Sequence, residues 1–231
     1  AKHGNRSLSS KSGAADVLSE LGINLDCPFE IVQEALNSIG ICFLMAPRHL
    51  VAMKHVGPAR VQLGIRTIFN LLGPLSNPAF VKRQLVGVFD KKWLHPFAEA
   101  LNKMGSSHAW IIHGRDGLDE VSISDKTDVV QLINGVIKDL VIEPEEYGYK
   151  KVKLEAIRGG DPKHNALELR GLLEGKEGPY KDIVLLNSAA AIAGSGHEND
   201  FGKALNRSKI SLESGKALKK LEALISITNN K

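Results

Sequence analysis

Apolar residues recur along the chain with two different spacings. One set is spaced three or four positions apart, as on one face of an α-helix. These helical segments are residues 12–21, 28–38, 93–104, 165–173, 181–193 and 212–227. A second set forms short continuous apolar runs, typical of buried strands, at residues 41–45, 84–89 and 108–113. Two further strands, at 129–132 and 136–141, flank Asn134-Gly135, which predicts an antiparallel hairpin.

Strands that alternate with helices predict an α/β fold with a mostly parallel central sheet flanked by helices. Pro58 predicts a helix over residues 58–63, and a second short helix follows at 65–72. Glycine and proline make residues 73–78 a rigid loop. The chain opens on a polar cluster, with no initiator Met and no lead-in strand or helix. We therefore expect it to be a fragment of a longer protein.

The composition excludes several classes of protein. With 43% hydrophobic and 24% charged residues, the chain is too apolar to be disordered. Its longest uncharged stretches, 67–81 and 183–196, are too short and too polar to span a membrane, and no signal peptide is visible. Cys27 and Cys42 cannot form a disulfide scaffold, so we expect a reduced, cytoplasmic chain. The net charge of +4 allows an anionic partner, either a nucleic acid or a small phosphorylated substrate.

The segment with the most chemical potential is residues 2–13. It holds two lysines, one arginine, four serines and two glycines, immediately before a predicted helix. Cationic side chains, hydroxyls and backbone N–H groups are what a phosphate or diphosphate needs. The alternative is a flexible basic start to the chain.

Residues 114–120 form a second candidate segment, at the carboxyl end of the strand predicted at 108–113. In open α/β sheets this end of a strand is where ligands bind. Asp119 and Glu120 are adjacent, and a loop loosened by glycine can turn both carboxylates towards one cation. Mg²⁺ is usually held by one or two carboxylates together with substrate phosphates. The alternative is a solvated turn.

Arg60 is the third candidate, because a cation in the first turn of a helix faces the positive end of the helix dipole. Its position is better explained by bidentate pairing with a carboxylate ligand, or by a salt bridge to another helix. The histidines have no metal-ligand spacing with the cysteines. No G-x-S-x-G, Walker A or G-x-G-x-x-G motif occurs. Residues 187–191 are interpreted as close helix packing, and residues 159–161 as a turn.

Taken together and in order, these segments resemble the anthranilate phosphoribosyltransferases. Residues 2–6 are similar to the family's K-H-G-N-R motif, and residues 9–16 to its S-S-x-S-G-[SA]-A-D continuation. The longest match covers residues 52–60 and 63–78, and residues 114–120 are similar to the G-x-D-G-L-D-E loop. The resemblance implies a nucleoside phosphorylase/phosphoribosyltransferase type of α/β fold over residues 1–231. It also implies that residues 48–78 pack in a smaller helical domain.

The resemblance further implies the reaction and the residues that serve it. The substrates are phosphoribosyl diphosphate (PRPP) and anthranilate, the products are N-(5-phosphoribosyl)anthranilate and diphosphate, and Mg²⁺ is required. His3, Asn5, Arg60 and Pro74 line the anthranilate site, with Arg60 on the carboxylate, and Asp119 with Glu120 binds Mg²⁺. The PRPP-binding residues are Lys2, His3, Gly4, Asn5, Arg6, Ser7, Leu8, Ser9, Ser10 and Ala14.

The sequence departs from the family pattern in two ways. Ala14 replaces a serine that contacts PRPP in many relatives, which removes one hydroxyl. The family's N-terminal helical region and its G-T-G-G-D phosphate loop are absent, and both would lie upstream of Lys2. We therefore expect the chain alone to be an incomplete site. The intact enzyme is expected to be a homodimer formed through the helical domain.

Two other functions remain open at the level of sequence. Pyrimidine nucleoside phosphorylases share the K-H-G-N-R-type start and the fold, and would split thymidine or uridine with phosphate. Relatives that have lost the substrate motifs bind nucleic acid through a basic surface, with a steep dependence on salt. The intact segment at residues 2–10 and the Asp119-Glu120 pair argue against a nucleic-acid partner, and no membrane partner is expected.

Overall fold

The computed structural model describes residues 1–6, 11–49, 62 and 68–230. The chain divides into two compact units. The first contains Ala1–Phe80, Gly159–Glu174 and Gly215–Lys231, and the second contains Val81–Arg158 and Gly175–Ser214. The first unit is therefore assembled from three separate stretches of the chain.

Among the described residues, helices separate successive strands up to residue 114, three strands then follow one another, and the last four α-helices are consecutive. The strands are β1 (Lys2–Gly4), β2 (Phe43–Met45), β3 (Arg83–Gly87), β4 (His108–Gly114), β5 (Thr127–Ile133) and β6 (Val136–Ile142). The helices are α1 (Ala14–Glu20), α2 (Phe29–Ile39), α3 (Ala46–His49), α4 (Ile68–Leu75), α5 (Leu94–Lys103), α6 (Pro162–Leu173), α7 (Pro179–Gly194), α8 (Phe201–Glu213) and α9 (Lys216–Asn229). Short 3₁₀ turns occur at Lys91–Trp93, Pro144–Tyr147 and Leu154–Ile157.

In the first unit, a short parallel pair of strands lies beside a helical core. β1 pairs with β2, with Lys2 opposite Phe43 and Gly4 opposite Met45. Helix α1 packs against α6, and α9 packs against both α2 and α6. Their apolar faces, together with Cys27 and Cys42, form a continuous buried cluster. Both cysteines are free thiols. Burying these faces is what holds the three stretches of the unit together.

The second unit is built on a four-stranded sheet in the order β3-β4-β5-β6. β3 and β4 are parallel, whereas β4–β5 and β5–β6 are antiparallel. The turn between β5 and β6 has a positive φ at Asn134 (47°) and Gly135 (86°), as a tight hairpin requires. Helix α5 packs on β4 and β5, and α7 packs on β3, β4 and α8. β4 and β5 are buried almost throughout, as expected of strands covered on both faces.

The α/β class predicted from the sequence is confirmed, with parallel pairing at β1–β2 and β3–β4 and the predicted hairpin at β5–β6. The four-stranded sheet is mixed, because the hairpin adds two antiparallel ladders. The helix expected at 212–227 corresponds to α9, which begins only at Lys216, because Gly215, whose φ is +70°, separates it from α8. Helix α8 was not predicted from the sequence. No helix in the described part of the chain is long and apolar enough to cross a membrane.

Two further expectations about local structure were wrong. Gly73 and Pro74 belong to helix α4 and not to a loop. Pro74 removes a single backbone donor and lies one residue from the helix end, so the helix tolerates it. The start of the chain, expected to have no lead-in strand, forms β1, because β2 offers it a parallel partner. The structure does not describe residues 50–61 or 63–67, so the helix predicted at 58–63 lies outside the described residues except for Gln62.

Candidate functional site

The candidate substrate segment at the start of the chain is tied to helix α4 by side-chain hydrogen bonds. His3 Nε2 lies 2.9 Å from the carbonyl oxygen of Gly73, and Asn77 Nδ2 donates to the carbonyl oxygen of Ala1 at 3.1 Å. Because Gly73 immediately precedes half-buried Pro74, these contacts bring together two parts of the expected anthranilate site. Residues about 70 positions apart in the chain thus meet at one place in the first unit.

The His3 ring has a defined tautomer and a shifted pKa. A carbonyl oxygen only accepts hydrogen bonds, so Nε2 carries the hydrogen and Nδ1 of the neutral ring remains an acceptor. Burial lowers the pKa of His3, and the nearby Lys2 ammonium lowers it further, against the opposing effect of the Gly73 carbonyl. The neutral ring is therefore the favoured form, and it presents an acceptor beside an exposed lysine.

The remaining described residues of this segment are held by local contacts. Lys2 Nζ donates to the His3 carbonyl at 2.8 Å, and Gly4 makes room for the Phe43 ring, which a Cβ would approach to 2.9 Å. Arg6 is exposed and its guanidinium lies 3.4 Å from a carboxylate oxygen of Asp16. The main-chain N–H of Arg6 donates to the side chain of Asn5 at 2.8 Å.

Several expected PRPP and anthranilate residues can be placed only in part. Ala14 is the first residue of α1 and is exposed, so it leaves open the position where many relatives have a serine. Ser7, Leu8, Ser9, Ser10 and Arg60 lie outside the described residues.

The second candidate segment, in the second unit, is a tightly bonded loop after β4. Gly114 N–H donates to the Leu118 carbonyl at 2.7 Å, and Gly117, with φ +95°, donates to the Gly114 carbonyl at 2.9 Å. The Asp116 carboxylate turns into the loop, where it accepts from the Leu118 N–H at 3.2 Å and from the Ser122 hydroxyl. Asp116 therefore organises the loop, and the next two carboxylates, Asp119 and Glu120, are exposed.

The loop lies directly over the end of β3. A Cβ on Gly87, the last residue of β3, would overlap the Asp119 carbonyl oxygen and lie 2.7 Å from its carbonyl carbon. Glycine at this position allows the backbone that carries the two carboxylates to approach the sheet. In the described part of the chain, no three His, Cys, Asp or Glu side chains form a group that could hold a metal ion. Exposed, adjacent carboxylates such as those of Asp119 and Glu120 are the type of ligand that Mg²⁺ takes together with phosphates and water.

A buried carboxylate fixes the base of the same loop. Asp128, whose side chain is 8% exposed, accepts from Arg115 Nε at 3.2 Å and from its Nη2 at 2.8 Å, and Lys91 Nζ lies 2.9 Å away. These hydrogen bonds, first of all those from Arg115, hold the pKa of Asp128 below its usual range. Arg115 N–H also donates to the Lys126 carbonyl at 2.9 Å, so the base of the loop is closed on both strands.

Two residues that shape this loop were not predicted from the sequence. Asn187 of α7, interpreted as helix packing, hydrogen bonds to both backbone groups of Val121. Its signal in the sequence was a polar residue inside an apolar helical run, which requires a buried partner. Gly87 carried no comparable signal, because a glycine that ends a strand is compatible with many environments.

Known proteins share both the sequence and the fold. Residues 1–218 match the family described as "Glycosyl transferase family, a/b domain". The anthranilate phosphoribosyltransferase of Azorhizobium caulinodans is 52% identical over 228 residues, which cover 99% of this chain and 66% of that protein. The crystal structure of anthranilate phosphoribosyltransferase from Thermus thermophilus superposes with a TM-score of 0.92 at 40% identity, over 99% of this chain and 68% of that one.

A third relative was solved with ligands. The structure of Saccharomyces cerevisiae anthranilate phosphoribosyltransferase in complex with PRPP and Mg has a TM-score of 0.88 at 32% identity. The match covers 98% of this chain and 64% of the yeast chain. The chain thus spans about two thirds of the length of these relatives.

Proposed function

Because the chain belongs to this glycosyl transferase family, we propose that its protein transfers the 5-phosphoribosyl group of PRPP to anthranilate. The products are N-(5-phosphoribosyl)anthranilate and diphosphate, and the reaction is the second step of tryptophan biosynthesis. The observation that carries this proposal is the 52% identity to an anthranilate phosphoribosyltransferase over 99% of the chain. Because the chain spans 66% of that relative, the activity is proposed for the protein of which this chain is the α/β portion.

The chemistry requires opposite charges to be stabilised at two places. The bond between ribose C1 and the diphosphate oxygen breaks, and its electron pair leaves with the diphosphate while positive charge develops on the sugar. The anthranilate nitrogen forms the new bond to C1 and then loses a proton. Lys2 and the segment that contains Asn5, Arg6, Ser7 and Ser9 bind PRPP and stabilise the negative charge. No covalent enzyme intermediate is needed, since positioning and electrostatics suffice.

Anthranilate is held in line with C1 by residues of the first unit. Arg60 pairs with its carboxylate, while His3, Asn5 and Pro74 line the path of the aromatic ring. The hydrogen bond between His3 and the Gly73 carbonyl supports this assignment, because it places His3 next to the residue that precedes Pro74. The neutral His3 ring adds no positive charge next to the anthranilate amine.

Asp119 and Glu120 hold Mg²⁺ in this proposal. The ion, when bound, would neutralise charge on the diphosphate leaving group. Support comes from the exposure of both carboxylates on the loop that follows β4, and from the yeast relative solved with PRPP and Mg. Asp116 is not included, because its carboxylate is bonded within the loop.

The assembly and the location of the protein are further parts of the proposal. Residues 48–78 belong to a helical domain, and α4 supports this because Ile68 and Leu72, one turn apart, are exposed apolar residues. The intact enzyme is a homodimer formed through that domain. Sedimentation velocity of the intact enzyme would test this oligomeric state. It is cytoplasmic, in keeping with the two free, buried cysteines.

The test is an assay of anthranilate fluorescence with PRPP and Mg²⁺. The 231-residue chain is measured alone and together with the part of the Azorhizobium enzyme that it does not match. We expect PRPP-dependent loss of anthranilate fluorescence in the combined sample, and mass spectrometry should identify phosphoribosylanthranilate. The double variant Asp119→Asn with Glu120→Gln provides a control in which the Mg²⁺-dependent use of PRPP should be weakened. Lack of turnover in the combined sample, with both parts folded and associated, would contradict the proposal.

A further inference from the structure

A helix side chain holds the backbone next to the carboxylate pair in the second unit. Asn187 of α7 accepts a hydrogen bond from the Val121 N–H through Oδ1 at 2.8 Å. Its Nδ2 group donates to the Val121 carbonyl and to the Ile183 carbonyl, both at 2.9 Å. One amide thus pairs with both backbone groups of a single residue 66 positions away, as a neighbouring β-strand would.

The residue that Asn187 holds comes directly after the carboxylate pair. Val121 follows Glu120 and is fully buried, whereas Asp119 and Glu120 are exposed. On the other side, the Asp119 carbonyl lies against Gly87 at the end of β3. The short exposed segment is therefore fixed at both ends, and its two carboxylates project from a backbone that has little freedom to move.

We propose that Asn187 is a positioning residue that sets the placement of Asp119 and Glu120 for the metal. The inference rests on the proposed function, in which this pair holds Mg²⁺. Residues that orient metal ligands without touching the metal commonly change metal affinity by about 10–100-fold when they are replaced.

The physical reason lies in the backbone groups that Asn187 satisfies. Without its amide, the N–H and carbonyl of buried Val121 would have no partner among the residues that the structure describes, and an unpaired buried polar group is costly. The backbone at Val121 would relieve that cost by moving towards water, and Asp119 and Glu120 would move with it. The loop base would stay closed, because the contacts of Asp128 do not involve Asn187. We therefore expect a loss of metal affinity greater than the loss of fold stability would explain.

The experiment compares Asn187→Ala with a matched control in the same pair of helices. Ser208 of α8 is buried, and its hydroxyl donates to the Leu185 carbonyl of α7 at 3.2 Å and to the Leu205 carbonyl at 2.8 Å. Ser208→Ala thus removes buried hydrogen bonds from α7 and α8 without touching the loop. Binding of Mn²⁺ in the presence of inorganic diphosphate is measured on the full chain by electron paramagnetic resonance, and thermal unfolding is followed in parallel.

We expect Asn187→Ala to weaken Mn²⁺ binding about tenfold, and Ser208→Ala to leave it unchanged at a similar loss of thermal stability. Asn187→Asp serves if the alanine variant does not fold, since it keeps the volume and the acceptor but loses both donors. In a chain that already carries Asp119→Asn and Glu120→Gln, Asn187→Ala should not weaken Mn²⁺ binding further, because the carboxylates that Asn187 positions are gone.

The outcomes separate this inference from the function on which it rests. Unchanged Mn²⁺ binding in the Asp119→Asn, Glu120→Gln variant would overturn the metal assignment itself. If that variant loses binding while Asn187→Ala and Asn187→Asp bind Mn²⁺ as well as Ser208→Ala does, the metal site stands and the positioning role is overturned.

Discussion

Gly87→Ala is the substitution for which the structure makes the sharpest prediction. Gly87 ends β3, and the added Cβ would overlap the Asp119 carbonyl oxygen. It would also lie 2.7 Å from the Asp119 carbonyl carbon and 3.2 Å from its Cβ. The nearest two of these atoms belong to the backbone, so no side-chain rotation can relieve the contact. Either β3 or the loop that carries Asp119 must shift.

The size of the effect follows from two limits. If the loop stays in place, the overlap resembles overpacking of a core, which costs about 1–3 kcal/mol. For a domain of this size, about 2 kcal/mol lowers the melting temperature by roughly 4–8 °C. If the loop moves instead, less strain is stored but Asp119 and Glu120 are displaced, and disturbing the groups that orient metal ligands commonly costs about 10–100-fold in metal affinity. We therefore expect Gly87→Ala to lower the thermal stability, to weaken metal binding, or to cause smaller losses of both.

The assay measures both quantities on the same preparation. Differential scanning calorimetry gives the melting temperature, and Mn²⁺ titration in the presence of diphosphate gives the affinity. Gly202→Ala is the control: it lies in the first turn of α8, and its Cβ would come no closer than 3.3 Å to Oδ1 of Asp200, the residue that caps this helix. Alanine favours the helix at that position, so this control should be neutral or stabilising.

A specific pair of results would refute the reasoning. If Gly87→Ala melts within about 1 °C of the unmodified chain and also binds Mn²⁺ with unchanged affinity, the loop does not lie against Gly87. A loss of the same size in Gly202→Ala would instead show that alanine substitution in the second unit is disruptive in general.

Three other predictions concern the remaining charged groups. Arg60→Ala in the complete enzyme should raise the anthranilate KM about tenfold or more with a smaller effect on the PRPP KM, and steady-state kinetics that show an unchanged anthranilate KM would remove the carboxylate-pairing role. Arg115 lowers the pKa of Asp128 in the folded state. The ionised Asp128 therefore stabilises the fold at pH values above its unfolded pKa, and this stabilisation is lost as the pH falls through the folded pKa. In urea unfolding, Asp128→Asn should be less stable than the unmodified chain at neutral pH, and the difference in stability between the two should shrink in acid. Burial lowers the pKa of His3, so an NMR titration of its ring should give a midpoint below 6.5. The stability that the neutral ring contributes should decrease as the pH falls below 6.5, because the unfolded chain takes up the proton first. A pKa above 6.5 would show that the ring is not held neutral against Gly73.

The alternation of strands and helices was readable from the sequence because it depends on local patterns. Glycines that end helices, such as Gly40 with φ +75°, marked boundaries correctly. The hairpin at Asn134-Gly135 followed from the need for positive φ at both positions. Pro74 was predicted to lie in a loop, but it belongs to the last turn of α4. Gly215 was predicted to lie inside one helix, but it separates α8 from α9.

The placement of the candidate site residues was predictable where it followed from a local pattern, and not where a partner had to be known. Asp119 and Glu120 stand on an exposed loop after β4, as their position after an apolar run indicated. The hydrogen bonds of His3 to Gly73 and of Asn187 to Val121 join residues 70 and 66 positions apart. Local periodicity carries no information about such pairs, which arise only when the elements pack.

The division of the first unit among three stretches of chain has a consequence for how the protein folds. Its core closes through bonds between early and late residues: Asn24 N–H donates to Thr228 Oγ1 at 3.2 Å, and Asn229 Nδ2 donates to the Gly22 carbonyl at 2.8 Å. During synthesis, the apolar face of α1 must wait for α6, and that of α2 for α9, which is made about 200 residues later. Contacts of such high sequence separation slow folding and leave hydrophobic surface open in the meantime. We therefore expect the second unit to fold first, and the strand that carries Lys2 and His3 to become ordered only when α9 has left the ribosome.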